Sequence, residues 1–278
     1  MKIFYSIKKF IDSEIKIDSF IPTMGNLHDG HLSLIAEAKK NLERSCVSIY
    51  VNESQFTEKK DFESYPKTIE EDIEKLKKIN VNYLLIPNKS DIENFSKPFD
   101  VNLEPKKITT TMCGKYRPGH FLAVMDIVHR FLQIVKPKNI ILGEKDYQQV
   151  IVIKELINIC NYNINVMTSP TVRNKNGLAL SSRNNLLLDK QKEYACDIYH
   201  ALLLAKKMYE NDIPVEEIID NVSKLFINSH VKLEYFTIRD LKTLQHPNDS
   251  DLIALTAGHL GGVRLIDNMI IKSPHTNK

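Results

Sequence analysis

Between Phe20 and Met167 the chain alternates short apolar runs with longer stretches whose apolar residues fall at helical spacing. Cys46 to Val51, Tyr83 to Ile86, Ile140 to Leu142 and Ile164 to Met167 read as buried strands. The stretches between them read as helices: Ile69 to Ile79, opened by a capping-box pattern of Thr68 with Glu71, then Phe121 to Val135 and Gln148 to Cys160. This alternation leaves few folds open, because parallel strands buried on both faces need helical crossovers to join and cover them. It predicts an α/β fold with a parallel sheet, whose ligands sit at the carboxyl ends of the strands.

After about Arg173 the pattern changes. A helix from Asp189 to Glu210, a second opened by Pro214, and β-like runs at Leu233 to Ile238, Leu252 to Thr256 and Val263 to Ile271 predict a smaller α+β domain. The joint is expected within Ser169 to Asn176, which divides the chain into domains 1–172 and 173–278. A length of 278 residues lets each part bury a core, and the polar tail Ser273 to Lys278 is expected to fray.

The loop Pro22-Thr23-Met24-Gly25-Asn26-Leu27-His28-Asp29-Gly30-His31 carries the strongest chemical signal. The apolar run Phe20-Ile21 is cut off by Pro22 and Gly25, and a helical pattern of Leu32, Leu34, Ile35 and Ala38 follows. His28 and His31 therefore fall near a helix N-terminus, where both rings can face one ligand. The N–H groups and dipole of that helix end favour phosphate, and Gly30 lacks the Cβ that would hold a nucleotide away. Histidines at this spacing also occur on ordinary surfaces, so the reading depends on the other loops.

With 42% hydrophobic and 26% charged residues, the composition favours neither a disordered nor a fibrous chain. No run approaches the roughly 18 apolar residues of a membrane span, and Lys2, Lys8 and Lys9 interrupt the start, so a cytoplasmic protein without a membrane partner is expected. Cys46, Cys113, Cys160 and Cys196 show no C-x-x-C spacing and read as reduced packing thiols. A net charge of +3, with lysines and acids mixed, argues against nucleic acid as a partner. Only seven of the 38 basic residues are arginine, and Arg117, Arg173, Arg183 and Arg264 lie in loop-like segments, where a guanidinium can grip phosphate or carboxylate at two points.

Four further segments follow predicted strands. In Val51-Asn52-Glu53-Ser54-Gln55-Phe56, the amides of Asn52 and Gln55 suit the hydroxyl and carboxylate groups of a small polar substrate. In Gly114 to Phe121, Arg117 and His120 are placed to meet anionic groups. In Gly143-Glu144-Lys145-Asp146-Tyr147-Gln148-Gln149, Gly143 permits close approach, Lys145 neutralises phosphate and Gln149 faces the same cleft. Ser181-Ser182-Arg183-Asn184 offers two hydroxyls and a guanidinium at the expected joint.

Taken together, P-T-M-G-x-L-H-x-G-H (22–31), V-N-x-x-Q-F (51–56), Y-P-K-T (65–68), R-P-G-H-F (117–121), G-E-K-D-Y-Q-Q (143–149), P-T-V-R (170–173), S-S-R-N (181–184) and R-L-I-D-N (264–268) resemble the pantothenate synthetase family, in order and over nearly the whole length. The resemblance implies a Rossmann-like member of the H-x-G-H nucleotidyltransferase group that joins pantoate to β-alanine with ATP. The implied route runs through a pantoyl-adenylate, and the implied enzyme is a magnesium-using homodimer. It assigns ATP to Met24, Gly25, Asn26, Leu27, His28, Asp29, Gly30 and His31, to Gly143, Glu144, Lys145 and Asp146, and to Val172, Leu180, Ser181, Ser182 and Arg183. Pantoate falls to Gln55 and Gln149, and β-alanine to Gln55. His31, His28, Lys145 and Arg183 are implied as catalytic, His31 as proton donor, with Asn52, Tyr65, Arg117 and His120 as further contacts and no metal ligands indicated.

Glu53 stands where that family usually has proline, Ala123 where it has glycine, Asn174 where it has an acid, and Leu180 where methionine is more usual. Two other functions fit parts of the pattern: an H-x-G-H transferase that leaves the nucleotidyl group on its product, and a non-catalytic nucleotide-sensing or RNA-binding module. Low net charge and the absence of a basic-aromatic stripe weigh against RNA.

Overall fold

The computed structural model describes residues 1–39, 44–247 and 251–272; the tail expected to fray, 273–278, lies outside them. Six strands form one parallel sheet: β1 (Lys2–Phe4), β2 (Ser19–Thr23), β3 (Ser45–Ile49), β4 (Tyr83–Leu85), β5 (Asn139–Gly143) and β6 (Asn165–Ser169). Their order is β1-β4-β3-β2-β5-β6. Strand order reverses at β2 and β5, which is where a doubly wound sheet opens a crevice for ligand. The parallel sheet expected from the alternation is present, in the Rossmann-like form that the resemblance implies.

The two ends of this junction differ. At the amino end, Asp18, Arg44 and Lys138 immediately precede β2, β3 and β5, and the Asp18 carboxylate accepts hydrogen bonds from Arg44 Nε (2.9 Å) and Nη2 (3.2 Å) and pairs with Lys138 Nζ at 2.9 Å. The carboxyl group is held at about 2 by these bonds to Arg44 and Lys138, which outweigh its burial. At the carboxyl end, β2 pairs with β3 along its whole length but with β5 only at Ser19 and Phe20. The sheet is therefore pinned at one end and parted at the other.

Pro22 explains the parting. The apolar run was expected to stop at this proline, yet β2 continues through it to Thr23. Backbone groups in a strand point alternately to its two neighbours, and Thr23 faces β3, its carbonyl accepting from Tyr50 N–H at 3.0 Å. Pro22 thus faces β5 beyond the end of that ladder, so its missing N–H leaves no ladder bond unmade.

The helices Asp29–Lys39, Ile69–Lys78, His120–Val135 and Tyr147–Ile159 lie where apolar spacing places them. Asp29–Lys39 packs on β2, β3, β5 and β6. Leu27, Ile35 and Ala38 bury against Ile21, Val47, Ile49, Leu76 and Ile141. Among the described residues no helix is long and apolar enough to cross a membrane.

Contacts divide the chain into two compact units, Met1–Glu144 with Val152–Pro170, and Lys145–Ile151 with Thr171–Lys278. In the second unit, helices Asp189–Tyr194, Asp197–Glu210 and Val215–Leu225 accompany an antiparallel sheet of β7 (Lys232–Asp240), β8 (Leu252–Leu260) and β9 (Val263–Lys272). Ile198, Leu202, Ile218, Val222, Ile238 and Ala254 form its core. The single helix expected from Asp189 to Glu210 is two helices. At Cys196 and Ile198 the N–H bonds tighten to the third preceding carbonyl, Glu193 and Ala195, while Ala195 and Cys196 are buried in the core.

Candidate active site

The loop after β2 is shaped by a buried carboxylate. Asp72, wholly inaccessible on helix Ile69–Lys78, accepts the N–H groups of Asn26 and Leu27, each at 2.8 Å. The Thr68 hydroxyl donates to the same side chain at 3.1 Å, so it does not cap the helix and the expected Thr68–Glu71 box is not made. Lys75 Nζ donates to the Leu27 carbonyl at 2.8 Å. Gly25 and Asn26 both have positive φ, +79° and +50°, which turn the main chain sharply enough for its N–H groups to converge on Asp72. Asp72 had no signal in the sequence beyond its place on an acidic helix face.

This loop delivers His28 and His31 to the first turn of helix Asp29–Lys39. Gly30 N–H donates to His28 Nδ1 (3.1 Å), and His28 N–H donates to His31 Nδ1 (3.3 Å). Each ring is an acceptor at Nδ1, so in the neutral form its proton sits on Nε2. The ring centroids lie 4.1 Å apart, giving a pair of preoriented imidazoles at a helix N-terminus that favours anions.

The loop after β3 presents Gln55. Its amide nitrogen lies 3.0 Å from Met24 Sδ, and its Oε1 accepts from Asn52 Nδ2 at 3.2 Å. Asn52 also donates to the Ala123 carbonyl at 3.3 Å, so the residue at the position of the unusual alanine serves through its main chain, in a helix interior where alanine is favoured. Arg117 and His120, expected to meet anionic groups, both reach the Gln55 carbonyl, from Arg117 Nη2 at 3.0 Å and His120 Nδ1 at 2.8 Å. With Nδ1 donating, His120 Nε2 accepts from Arg117 Nη1 at 3.1 Å. Phe56 and Tyr65 are edge-on neighbours, with centroids 5.5 Å apart.

The loop after β5 begins at Gly143, where an added Cβ would meet nothing nearer than Leu34 at 3.7 Å. Protein packing therefore does not demand glycine there. Thr168 Oγ1 donates to Glu144 Oε1 at 2.8 Å.

Lys145, Asp146 and Gln149 belong to the second unit. Lys145 Nζ lies 3.6 Å from Asp146 Oδ1, and its main-chain carbonyl accepts from Asn268 Nδ2 at 2.9 Å. In the same unit Leu180 N–H donates to the Val172 carbonyl (2.9 Å), joining two residues assigned to ATP. Ser181 Oγ accepts from Arg183 N–H at 3.3 Å and opens the turn Ser182–Leu186. Asn174 Oδ1 accepts from Asn176 and Leu178 N–H, both at 3.0 Å, which an acid at this position would do equally well.

Of the four arginines expected in loops, two hold the protein's own carboxylates, and one of these, Arg264, lies on β9 rather than in a loop. Arg173 forks onto Asp267 at 2.5 and 2.9 Å, while burial pushes the Asp267 carboxyl up against the pull of that guanidinium. Arg264 grips Glu234, shared with His259 at 2.9 Å; burial pushes Glu234 up, but these two partners outweigh it and hold it below its ordinary value. Asp267 and Asn268, part of the R-L-I-D-N motif, received no role from the sequence.

A parallel sheet parted at its reversal point, with paired histidines at the helix after the parting strand, defines a nucleotidyltransferase-type α/β protein carrying a second α+β unit. The model of the family described as pantoate-beta-alanine ligase matches residues 4–270, and the chain belongs to that family. It is 37% identical to the pantothenate synthetase of Marinomonas sp. (strain MWYL1) over 98% of this chain and all of that one. The crystal structure of pantothenate synthetase from Thermus thermophilus superposes with a TM-score of 0.91 at 30% identity, covering 98% of this chain and 100% of the other. A pantoate-beta-alanine ligase from Francisella tularensis, solved in complex with beta-gamma ATP and beta-alanine, gives 0.80 at 35% identity, with 98% of each chain covered. The chain is thus an ATP-dependent ligase of pantoate and β-alanine.

Proposed function

We propose that the residues described above carry the reaction in two steps, through a pantoyl-adenylate. The pantoate carboxylate, held by Gln55 and Gln149, attacks the α-phosphorus of ATP; pyrophosphate leaves with the electrons of the broken P–O bond. The β-alanine amine, near Gln55, then attacks the acyl carbon of the mixed anhydride, and AMP leaves as the amide forms. The first step brings two anions together, and its charge builds on the phosphate oxygens. His28 and His31, through Nε2, the helix N-terminus, Lys145 and Arg183 oppose that repulsion, with Ser181 and Ser182 adding hydroxyl donors. No covalent enzyme intermediate is needed, and the buried Cys46 thiol, pushed up by its burial, is unsuited to forming one.

The observation that carries this reading is the histidine pair: both Nδ1 atoms are occupied by main-chain N–H groups, so both rings are oriented before any ligand binds. Met24 to His31, Gly143 to Asp146, Val172 and Leu180 to Arg183 make up the nucleotide contacts. Among the described residues no group of three or more His, Cys, Asp or Glu could hold a metal. Mg²⁺ fits as the counter-ion of the ATP phosphates, where it neutralises charge on the departing pyrophosphate. Domains 1–172 and 173–278, the second acting as a lid, a homodimeric assembly and a cytoplasmic setting complete the proposal.

The test is incubation with ATP, Mg²⁺, pantoate and β-alanine, followed by mass spectrometry. Pantothenate and free AMP are expected, whereas a transferase would keep the nucleotidyl group on its product. His31→Ala and Lys145→Ala should each slow pantoate-dependent pyrophosphate release by ~10²–10³-fold, the loss typical of one preorganised donor, while leaving the circular dichroism spectrum unchanged. Substantial release by both variants would overturn the assignment.

A further inference from the structure

The roles above leave Asn268 unexplained, although it is one of the most constrained polar residues in the second unit. It lies on β9 with only 7% of its surface exposed. Its N–H donates to Asp267 Oδ1 at 2.8 Å, the same oxygen that accepts from Arg173 Nη2 at 2.9 Å. Arg173 in turn donates to the main-chain carbonyls of Asn268 (3.2 Å) and Gly177 (3.0 Å). With its backbone fixed on both sides, Asn268 directs Nδ2 at the carbonyl of Lys145. A second tie acts two residues further on, where the Tyr147 hydroxyl donates to the Leu241 carbonyl at 3.0 Å.

We propose that Asn268 is a positioning residue for Lys145. A lysine ammonium rides on a flexible four-carbon stem, so its average location is set by where the main chain is anchored. Asn268 supplies that anchor. Through Asp267 and Arg173 the same anchor is shared with the single antiparallel β-bridge between Arg173 and Ala179, which leads directly into Ser181 to Arg183. The ammonium and the Ser-Ser-Arg turn are therefore referred to one frame, as two groups that must grip one phosphate chain require. This inference rests on the proposal that Lys145 faces the ATP phosphates.

The experiment is a double-mutant cycle on single-turnover, pantoate-dependent pyrophosphate release, using the full-length protein. Asn268→Ala is expected to slow release by ~10–100-fold, the loss typical of a misplacement of about 1 Å, with the KM for pantoate within about threefold of the parent. Lys145→Ala is expected to be slower still, and adding Asn268→Ala to it should cost nothing more, because the group being positioned is already gone. A merely structural role would multiply the two losses. Multiplied losses, or an Asn268→Ala rate equal to the parent's, would overturn the proposal while leaving the role of Lys145 standing. Parental activity in Lys145→Ala would overturn both. Should Asn268→Ala fail to fold, Asn268→Ser carries the same cycle.

Discussion

A Cβ added to Gly25 would stand 3.0 Å from Oδ2 of Asp72. The carboxylate that shapes the histidine loop thus occupies space that only glycine leaves open, and the +79° φ of Gly25 disfavours any side chain independently. Gly25→Ala should cost about 1–2 kcal/mol in backbone strain and displace Asp72 as well. Pyrophosphate release is expected to fall at least roughly tenfold, equivalent to ~1.4 kcal/mol in the transition state. Asp72→Asn should act in the same direction, since an amide nitrogen facing the N–H of Asn26 or Leu27 leaves a buried donor unpaired at a cost of about 1–3 kcal/mol. Thermal melting and initial rates check both; parental values in both variants would contradict the account.

The clamp on Gln55 gives a second prediction. His120 and Arg117 hold its carbonyl, so their loss should loosen pantoate without touching the nucleotide. His120→Ala is expected to raise the KM for pantoate roughly tenfold, as for about 1.4 kcal/mol of binding energy, while changing the KM for ATP by less than about threefold. Steady-state kinetics with each substrate varied would show this split, and an equal rise for both substrates would refute it.

The contrast between these sites shows what a single sequence can reveal. The strands other than β1, the main helices and the loops bearing His28, Gln55 and Lys145 were legible because apolar spacing and glycine placement are local properties; β1, only Lys2–Phe4, is too short to show a period. Three features were not, and each depends on partners far apart in the chain. Asp72 meets Asn26 across 46 positions, Arg117 turns to the Gln55 carbonyl across 62, and Asn268 reaches Lys145 across 123. Arg173 and Arg264 look in sequence like anion-gripping loop residues; both grip anions, but these are Asp267 and Glu234, and Arg264 does so from β9. The passage of β2 through Pro22 was hidden for a related reason: a proline breaks a strand only when its nitrogen faces a partner, and the sequence does not show on which side the ladder ends.

Acid should undo the pin at the amino end of the sheet. Asp18 is held at about 2 by Arg44 and Lys138, below the 3.8 of an unfolded aspartate. Its ionised form is therefore favoured by folding. That stabilisation is complete above about pH 4 and fades as pH falls toward 2. Both cations are partly exposed, so the contribution at neutral pH is only about 1–2 kcal/mol. Asp18→Asn should lower stability by that amount at pH 7, and the difference from the parent should shrink toward pH 2. Urea denaturation across this range measures it; a gap that widens on acidification would contradict the assignment.

In the second unit, Gly177 has a φ of +89°, and a Cβ there would fall 2.0 Å from the ring of Tyr199. Arg173 lies over the face of that ring, 4.5 Å from its centroid, and donates to the Gly177 carbonyl, so the tyrosine, the arginine and the turn are packed as one body. Gly177→Ala combines left-handed strain with overpacking against a ring that has Arg173 over it, and should destabilise by roughly 2–5 kcal/mol. Tyr199→Ala removes the obstacle but not the strain, so the double variant should be less impaired than the sum of the two single changes, by about 1–3 kcal/mol. Because the turn leads within four residues to Ser181, Gly177→Ala should also slow pyrophosphate release, and Tyr199→Ala should restore part of that rate. Additive losses in both stability and rate would show that the ring is not what the glycine makes room for.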